Sequence, residues 1–247
     1  MSSASSRYVA TLTGLVAELE ATQGEAIAAA AGIIADCISA DGIVHVFGSG
    51  HSHMMAEEVF HRAGGLWPVN AMLDPNLTAF GTLRAGLVER TEGYAKIVLD
   101  SYEVKPGEVV IVVSNSGINP APIEMAIEAR RIRARVIAIT SRAAYASAAS
   151  RHSSGCKLAD VSDLVVDSLV PAGDAVVALA GVAAKVGAVS TALGAVLMNM
   201  IMVDAAAHLA AAGVEPPIIA SMNVPGGDEH NRARHAKYKA RLPLLKG

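Results

Sequence analysis

The sequence has few aromatic residues, few charges and almost no cysteine. Phe, Trp and Tyr make up 4% of its 247 residues, and charged residues make up 17%. The formal net charge of −3 gives no overall attraction to nucleic acid or to an anionic membrane surface, so we expect neither as a partner. The two cysteines, Cys37 and Cys156, offer neither a disulfide framework nor zinc-ligand spacing. A reducing, cytoplasmic location is therefore expected.

What the sequence has in abundance is small apolar side chains. Hydrophobic residues make up 52% of the chain, which is ample for a large core. The first seven residues are rich in serine and contain no apolar core of a signal peptide. Residues 186–203 carry no charge, which reaches the lower length limit of a membrane span. Because the run contains polar residues and Asp204 follows it, we expect a buried or subunit-interface helix in a homodimer or homotetramer.

Short apolar runs alternate with helical patterns along most of the chain. Residues 8–40 predict helices, with Gly24 as a break between two of them, and residues 175–212 predict a long closing helical segment. Five runs predict strands: 43–47, 66–73, 109–113, 136–139 and 164–170. The alternation predicts an α/β protein with a parallel sheet and helices on both faces.

Two loops rich in serine and glycine each follow a predicted strand and precede a helix. The first serine loop is residues 48–52, and the second serine loop is residues 114–120. Ligands of parallel sheets bind where the strands end, and helix N-termini attract anions there. We predict one anion site formed by glycine backbone, serine hydroxyls and asparagine amides; its residues are Ser49, Gly50, Ser52, Ser114, Asn115, Ser116, Gly117 and Asn119. The same residue types also cap helices and form turns without any ligand.

The first serine loop matches nucleotide-binding fingerprints poorly. Gly48 and Gly50 fit the dinucleotide pattern, but His53 stands where its third glycine would be. Asp74 is only a loose match for the ribose-binding acid, and the second loop has no role in that scheme. No Gly-Lys-Ser/Thr sequence of a Walker A loop occurs. We therefore predict no cofactor.

Together these motifs resemble the sugar isomerase (SIS) domain family. The resemblance rests on the two serine loops and on Ala56-Glu57-Glu58, and it covers roughly residues 33–213. The sequence is similar to phosphoheptose-isomerase-like members and, down to residues 223–231, to a group of uncharacterised bacterial SIS-domain proteins. The resemblance implies a flavodoxin-like, three-layer fold with five parallel strands. It also implies a helical extension at 1–32, a SIS domain at 33–213, and a C-terminal loop with a basic tail at 214–247.

The resemblance also implies roles for particular residues. Ser114 and Ser116 would hold a sugar phosphate, and Ser52 matches the serine of the family's first loop. Asn119 stands where the family usually has Ser or Thr. The general base would be Glu58, although its interval from Ser52 is one helical turn shorter than in phosphoheptose isomerases.

Further candidates lie beside these residues. Glu57 lies about 100° from Glu58 around a helix. The family's histidine on the closing helix has no match, and Asn199 stands nearer to its position than His208. His51 and His53 adjoin the first loop and are candidates for proton transfer. With His61 they form no recognisable metal-ligand set, so we predict no metal site.

Two classes of function remain open. A carboxylate base suits isomerisation between aldose and ketose phosphates, and it suits elimination of a substituent from a phosphosugar equally well. His230, after a Pro-Gly-Gly turn, would add an acid or a sugar contact in the site of a neighbouring subunit. The alternative is a non-catalytic module that senses a phosphosugar through the same loops.

Overall fold

A computed structural model describes residues 2–146 and 148–246 and contains a five-stranded parallel sheet. The strands are β1 (Val44–Gly48), β2 (Val69–Met72), β3 (Val109–Val113), β4 (Arg135–Thr140) and β5 (Leu164–Asp167). Their order across the sheet is β2-β1-β3-β4-β5. Every residue of the central strand β3 is buried, as its unbroken Val and Ile run predicts. All five predicted strands are confirmed.

The helices lie on both faces of this sheet. They are α1 (Ala4–Ser39), α2 (Met54–Val59), α3 (Thr82–Val88), α4 (Tyr94–Asp100), α5 (Pro120–Arg131), α6 (Arg142–Tyr145), α7 (Ser190–Ala211) and α8 (Gly227–Tyr238). Helices α1, α2 and α7 cover one face, where Val46 and Ile111 are buried. Helices α4 and α5 cover the other face, where Val110 and Val112 are buried. Successive side chains of one strand thus enter different cores, and the flavodoxin-like three-layer fold is confirmed.

One prediction at the N-terminus is wrong. Gly24 does not divide two helices, because α1 is a single helix of 36 residues. An exposed glycine costs a helix only about 1 kcal/mol, and the burial of Leu19 and Ile27 on either side outweighs that cost. The helix also runs across the predicted domain boundary between residues 32 and 33.

The predicted closing helix is wrong over its first part. Residues 175–188 form an antiparallel hairpin of β6 (Ala175–Val177) and β7 (Val186–Ala188), in which Gly187 has a φ of +84°. Helix α7 begins only after it, where the Asp174 carboxylate accepts hydrogen bonds from the Val189 and Ser190 N–H groups at 3.0 and 2.8 Å. By length and composition α7 could cross a membrane, but it packs against α1 and α2, as buried core helices of this composition do.

The C-terminal segment folds back along the sheet edge where the strands begin, which we call the amino edge. Leu66, just before β2, pairs with Ile218. Lys237 on α8 pairs with Asp41 at 2.6 Å, and Arg241 beyond α8 pairs with the buried Glu108 at 2.6 Å. The basic tail is therefore attached to the amino edge rather than being a freely solvated helix.

Candidate functional site

The first serine loop lies at the carboxyl edge of the sheet, where the strands end. A Cβ at Gly48 would lie 2.4 Å from the Ser52 carbonyl oxygen, so only glycine permits this close turn. Gly50 has a φ of +54°, which also favours glycine. The buried Ser49 donates its hydroxyl hydrogen to Glu89 Oε1 at 2.6 Å. The loop is thus tightly folded, and a hydrogen bond attaches it to the Glu89 carboxylate.

The second serine loop is fixed by neighbouring strand ends. The Ser114 hydroxyl accepts the Gly117 N–H at 3.2 Å, and Asn115 Oδ1 accepts the Ser168 hydroxyl at 2.7 Å. Gly117 has a φ of +58°, and a Cβ there would lie 2.8 Å from Thr140 Oγ1. Ser114 and Asn115 therefore shape the loop through their own hydrogen bonds.

Asn119 occupies the N-cap position of α5, but its side chain does not cap the helix. Its Oδ1 instead accepts a hydrogen bond from Arg151 Nη1 at 2.8 Å. The Ser116 hydroxyl and N–H have no hydrogen-bond partner among the described residues. Ser116 is therefore free to donate to a ligand.

The structure brings the two serine loops to one cavity. His51 and Ser52 line it from the first loop and Asn115 from the second, and Ser168, Ser190 and Thr191 add further polar side chains. Its volume of about 10 Å³ is close to what a single water needs. A ligand larger than a few atoms would therefore have to bind at the mouth of this cavity or separate the loops.

The predicted base, Glu58, does not line that cavity. It lies four residues into α2, about 6 Å along the helix axis from its start. Its Oε1 accepts the Asn199 amide at 2.8 Å and pairs with Arg62. Asn199, the residue nearest to the position of the family's closing-helix histidine, is therefore in contact with Glu58. Its role as base remains a prediction.

Glu57 and His53 interact with each other. His53 is 2% exposed, and its Nε2 lies 3.2 Å from Glu57 Oε1. Its Nδ1 contacts the Gly50 carbonyl oxygen. Since a carbonyl and a carboxylate both accept, the ring satisfies both only by donating from both nitrogens. The pair thereby joins the start of α2 to the first serine loop.

Glu89 is a site residue that the sequence did not suggest. It follows α3, a helix in a segment for which no element was predicted. Its carboxylate accepts from Ser49 in the first loop, and its carbonyl oxygen accepts the Ala121 N–H of α5 at 3.0 Å. It therefore connects the first serine loop to the helix that follows the second. Ser168, in contrast, directly follows β5 and could have been found as another polar residue at a strand end.

His230 lies on α8 at the amino edge, with its Nε2 3.3 Å from the Ile218 carbonyl oxygen. Within one chain it does not join the serine loops. The largest cavity, about 770 Å³, also lies on this side, between the α2–β2 connection and the C-terminal segment. It is lined by Phe60, His61 and Trp67, and by Asn231 and His235 of α8. A role for His230 in a neighbouring chain's site remains a prediction.

The fold and the two loops define a parallel α/β protein with a small, partly polar cavity at its carboxyl edge. The chain belongs to the SIS domain family, which matches residues 7–141. It is 41% identical over 242 residues to a UPF0309 protein of Caldanaerobacter subterraneus, covering 96% of this chain and 98% of that one. It is 44% identical over 242 residues to a UPF0309 protein of Brucella canis, covering 96% and 95%. The predicted family is confirmed.

Solved structures share the fold at low sequence identity. The phosphoheptose isomerase of Francisella tularensis is 17% identical with a TM-score of 0.55, covering 81% of this chain and 95% of that one. The phosphoheptose isomerase of Neisseria gonorrhoeae is 18% identical with a TM-score of 0.55, covering 82% and 96%. The Vibrio vulnificus NanR protein complexed with ManNAc-6P is 12% identical with a TM-score of 0.50, covering 100% and 72%.

Proposed function

We propose that this protein binds a phosphosugar at its carboxyl edge and isomerises it, or eliminates a substituent from it, with a carboxylate as general base. The observation that carries the proposal is the cavity shared by the two serine loops, together with Ser116, which follows the cavity-lining Asn115 and has no hydrogen-bond partner among the described residues. Family membership adds support, since two SIS-type neighbours are phosphoheptose isomerases and another holds ManNAc-6P. No redox cofactor enters this chemistry.

Phosphate binding is assigned to the second serine loop. Ser116 supplies a hydroxyl and a backbone N–H, and the start of α5 supplies partial positive charge. Ser52 and Asn115 line the cavity behind them and are placed to contact the sugar. Ser114 acts indirectly, by holding the Gly117 N–H.

Two carboxylates compete for the role of base. Glu58 is the residue that the family motif indicates, but in the free chain it is held by Asn199 and Arg62. Glu89 is the carboxylate in contact with the first serine loop. A base must come within about 3 Å of the proton it removes, so either carboxylate would have to move towards the bound sugar.

The experiment is a panel of phosphosugars, read by thermal shift for binding and by mass spectrometry for conversion. Ser116→Ala should weaken binding, while Glu128→Gln, a change on the outer part of α5, should not. On the substrate identified, Glu89→Gln should retain binding and lose about 10²–10⁴-fold in rate. If Glu58→Gln loses that rate and Glu89→Gln keeps it, the base is Glu58. Absence of binding to every phosphosugar would contradict the proposal.

The second candidate function is a phosphosugar sensor without turnover. It is favoured by the narrowness of the cavity and by the engagement of Glu58 with Arg62. A sensor would show a thermal shift with one phosphosugar but would not convert it. The wild type, Glu58→Gln and Glu89→Gln would then all leave that phosphosugar unchanged.

We further propose that the protein is a cytoplasmic homodimer or homotetramer with α7 in the interface. Only 44% of the most apolar stretch of α7 is buried within one chain. Val196, Met200 and Val203 line an apolar groove along the helix, and Val203 is 65% exposed. Exposed apolar surface of this kind typically marks an interface. A stable monomer in sedimentation at micromolar concentration would contradict it.

A further inference from the structure

A second polar cluster lies outside the serine-loop cavity and has no place in the proposed reaction. It consists of Glu92 in the turn before α4, Glu124 in α5, and His152 in the segment 148–157 that precedes the turn Leu158–Val161. One ligand atom from each of these side chains lies within 4.8 Å of the other two. We propose that this cluster, the clamp site, binds one divalent transition-metal ion of the zinc type.

The clamp site contains one buried polar atom without a partner among the described residues. Glu124 Oε1 accepts the Gly93 N–H at 2.6 Å, but Oε2 is buried and accepts no hydrogen bond from the described residues. The Glu124 side chain is 13% exposed and the His152 side chain is 10% exposed. A buried carboxylate oxygen without a partner is destabilising, and a bound cation would remove that penalty.

The His152 ring presents its Nε2 to Glu124. Nε2 lies 3.8 Å from Glu124 Oε1, which is too far for a hydrogen bond. Nδ1 contacts the Ser154 hydroxyl at 2.7 Å, and the Ser154 N–H approaches it at 3.1 Å. Because an N–H group can only donate, Nδ1 is an acceptor in the free chain, and a neutral ring then carries its hydrogen on Nε2. Metal binding through Nε2 would require that hydrogen to move to Nδ1, where the Ser154 hydroxyl can accept it. In that tautomer the second nitrogen would be held by a neighbour, as it commonly is in metal-binding histidines.

Glu92 supplies the second negative charge. Hydrogen bonds from the Ser153 hydroxyl and N–H, at 2.8 and 2.6 Å, lower the pKa of Glu92 below its ordinary value. Each of its carboxylate oxygens accepts one hydrogen bond and retains a second lone pair for a metal.

The geometry and ligand types indicate the class of ion. Zinc bonds to imidazole nitrogen and carboxylate oxygen are about 2.0–2.2 Å, so two ligands of one ion lie at most about 4.2 Å apart. The ligand atoms of the clamp site need to approach by less than about 1 Å, which rotation of the exposed Glu92 can supply. One imidazole with two carboxylates suits zinc or manganese better than magnesium, which prefers oxygen ligands and water.

A metal bound at the clamp site would stabilise the segment that holds the second serine loop in place. Arg151 precedes His152, donates to Asn119 Oδ1 at 2.8 Å, and donates its N–H to the Ile118 carbonyl oxygen at 2.8 Å. An ion held by His152 would thus fix the second serine loop from outside. This inference is independent of which phosphosugar binds, and of whether turnover occurs.

The test is equilibrium dialysis of the untagged full chain against Zn²⁺, Mn²⁺ and Mg²⁺, with metal content measured by mass spectrometry. The wild type should retain about one Zn²⁺ per chain and melt at a higher temperature with it. His152→Gln and Glu124→Gln should each weaken retention at least about tenfold. Glu128→Gln, on the same helix, should retain the metal, and so should His53→Gln, which removes the separate His53–Glu57 pair.

A measurement on the wild type guards against variants that fail to fold. Zn²⁺ should protect His152 from diethylpyrocarbonate while leaving the exposed His208 as reactive as before. Retention of full metal content in both His152→Gln and Glu124→Gln would overturn the proposal. So would loss of the metal in His53→Gln alone, equal retention of Mg²⁺, or a wild type that retains no ion.

Discussion

The two edges of the sheet satisfy their polar groups in different ways. At the carboxyl edge, short neutral side chains such as Ser114, Asn115 and Ser168 bond to one another or to nearby backbone, around a cavity of about 10 Å³. At the amino edge, a buried charge holds the structure together next to a cavity of about 770 Å³. The comparison shows that cavity size does not locate the candidate ligand site in this molecule. The carboxyl edge, which has the residue types that commonly bind ligands, has the smaller cavity.

Glu108 is the centre of the amino edge. It accepts hydrogen bonds from the N–H groups of Ile43 and Lys105 at 3.1 and 2.8 Å. His45 Nε2 lies 3.0 Å from its Oε2, and Arg241 donates to its Oε1 at 2.6 Å. Burial alone would raise the pKa of Glu108, but the hydrogen bonds from His45, Lys105 and Arg241 lower it to about 2. This one carboxylate joins β1, β3 and the C-terminal tail.

The largest expected effect is therefore the removal of Glu108. Glu108→Ala leaves His45, Arg241 and two backbone N–H groups without their acceptor, and loss of one partner from a buried charged pair typically costs about 3–5 kcal/mol. Urea denaturation should show this loss in the free energy of unfolding. The exposed Glu103→Ala nearby should change it by less than about 0.5 kcal/mol. Equal stability of the two variants would show that charge does not hold the amino edge.

The next largest effect is the decrease in the free energy of unfolding at acid pH. The folded pKa of Glu108, about 2, lies below its ordinary value of 4.5, so the folded state binds this proton less readily than the unfolded chain. The contribution to stability is complete above about pH 4.5 and is lost as the pH falls towards 2. This difference in pKa corresponds to about 3 kcal/mol.

Urea titrations between pH 6 and pH 2.5 measure this dependence. Glu108→Gln cannot ionise, so its stability should decline less steeply with falling pH than that of the wild type. If the free energy of unfolding falls equally steeply with pH in the two proteins, the pH dependence comes from other carboxylates.

A smaller effect is expected at the carboxyl edge, from Gly117→Ala. The residue has a φ of +58°, and a Cβ would meet Thr140 Oγ1 at 2.8 Å. Strain and contact together should cost about 1–3 kcal/mol and weaken phosphosugar binding. Gly155→Ala is the matched control, because Gly155 has a φ of +74° but open space around its Cβ position. If both variants lose the same stability and neither loses binding, the close packing of the second loop is unimportant.

The sequence predicted the strands and the loops well because both have local causes. The Val and Ile run at 109–113 can be buried on both faces only in a central strand, and Ser114-Asn115-Ser116-Gly117 follows directly. The hairpin at 175–188 was missed because its small residues also favour helix, whereas Gly187 and the contact of the Tyr8 hydroxyl with the Ala188 carbonyl oxygen depend on the folded chain.

The site was predicted less completely because several of its contacts join distant segments. Glu89 meets Ser49 across 40 residues, and Asn199 meets Glu58 across 141 residues. Neither spacing carries a motif. The family pattern could suggest Glu58, but only the folded chain shows that Asn199 and Arg62 bind it.

The smallest expected effect compares the two cysteines. Cys37 lies at the end of α1 beside the amino edge, 5% exposed, and burial raises the pKa of its thiol to about 12. Cys156 is half-buried in the segment that carries Arg151 and His152. Because the thiolate is the reactive form, Cys37 should react with Ellman's reagent at pH 8 only after unfolding, whereas Cys156 should react in the native protein. One fast thiol is therefore expected, and Cys156→Ser should remove it.

Glu108→Ala should open the amino edge and speed the reaction of Cys37. Two fast thiols in the native wild type would show that the amino edge is no more closed than the segment around Cys156.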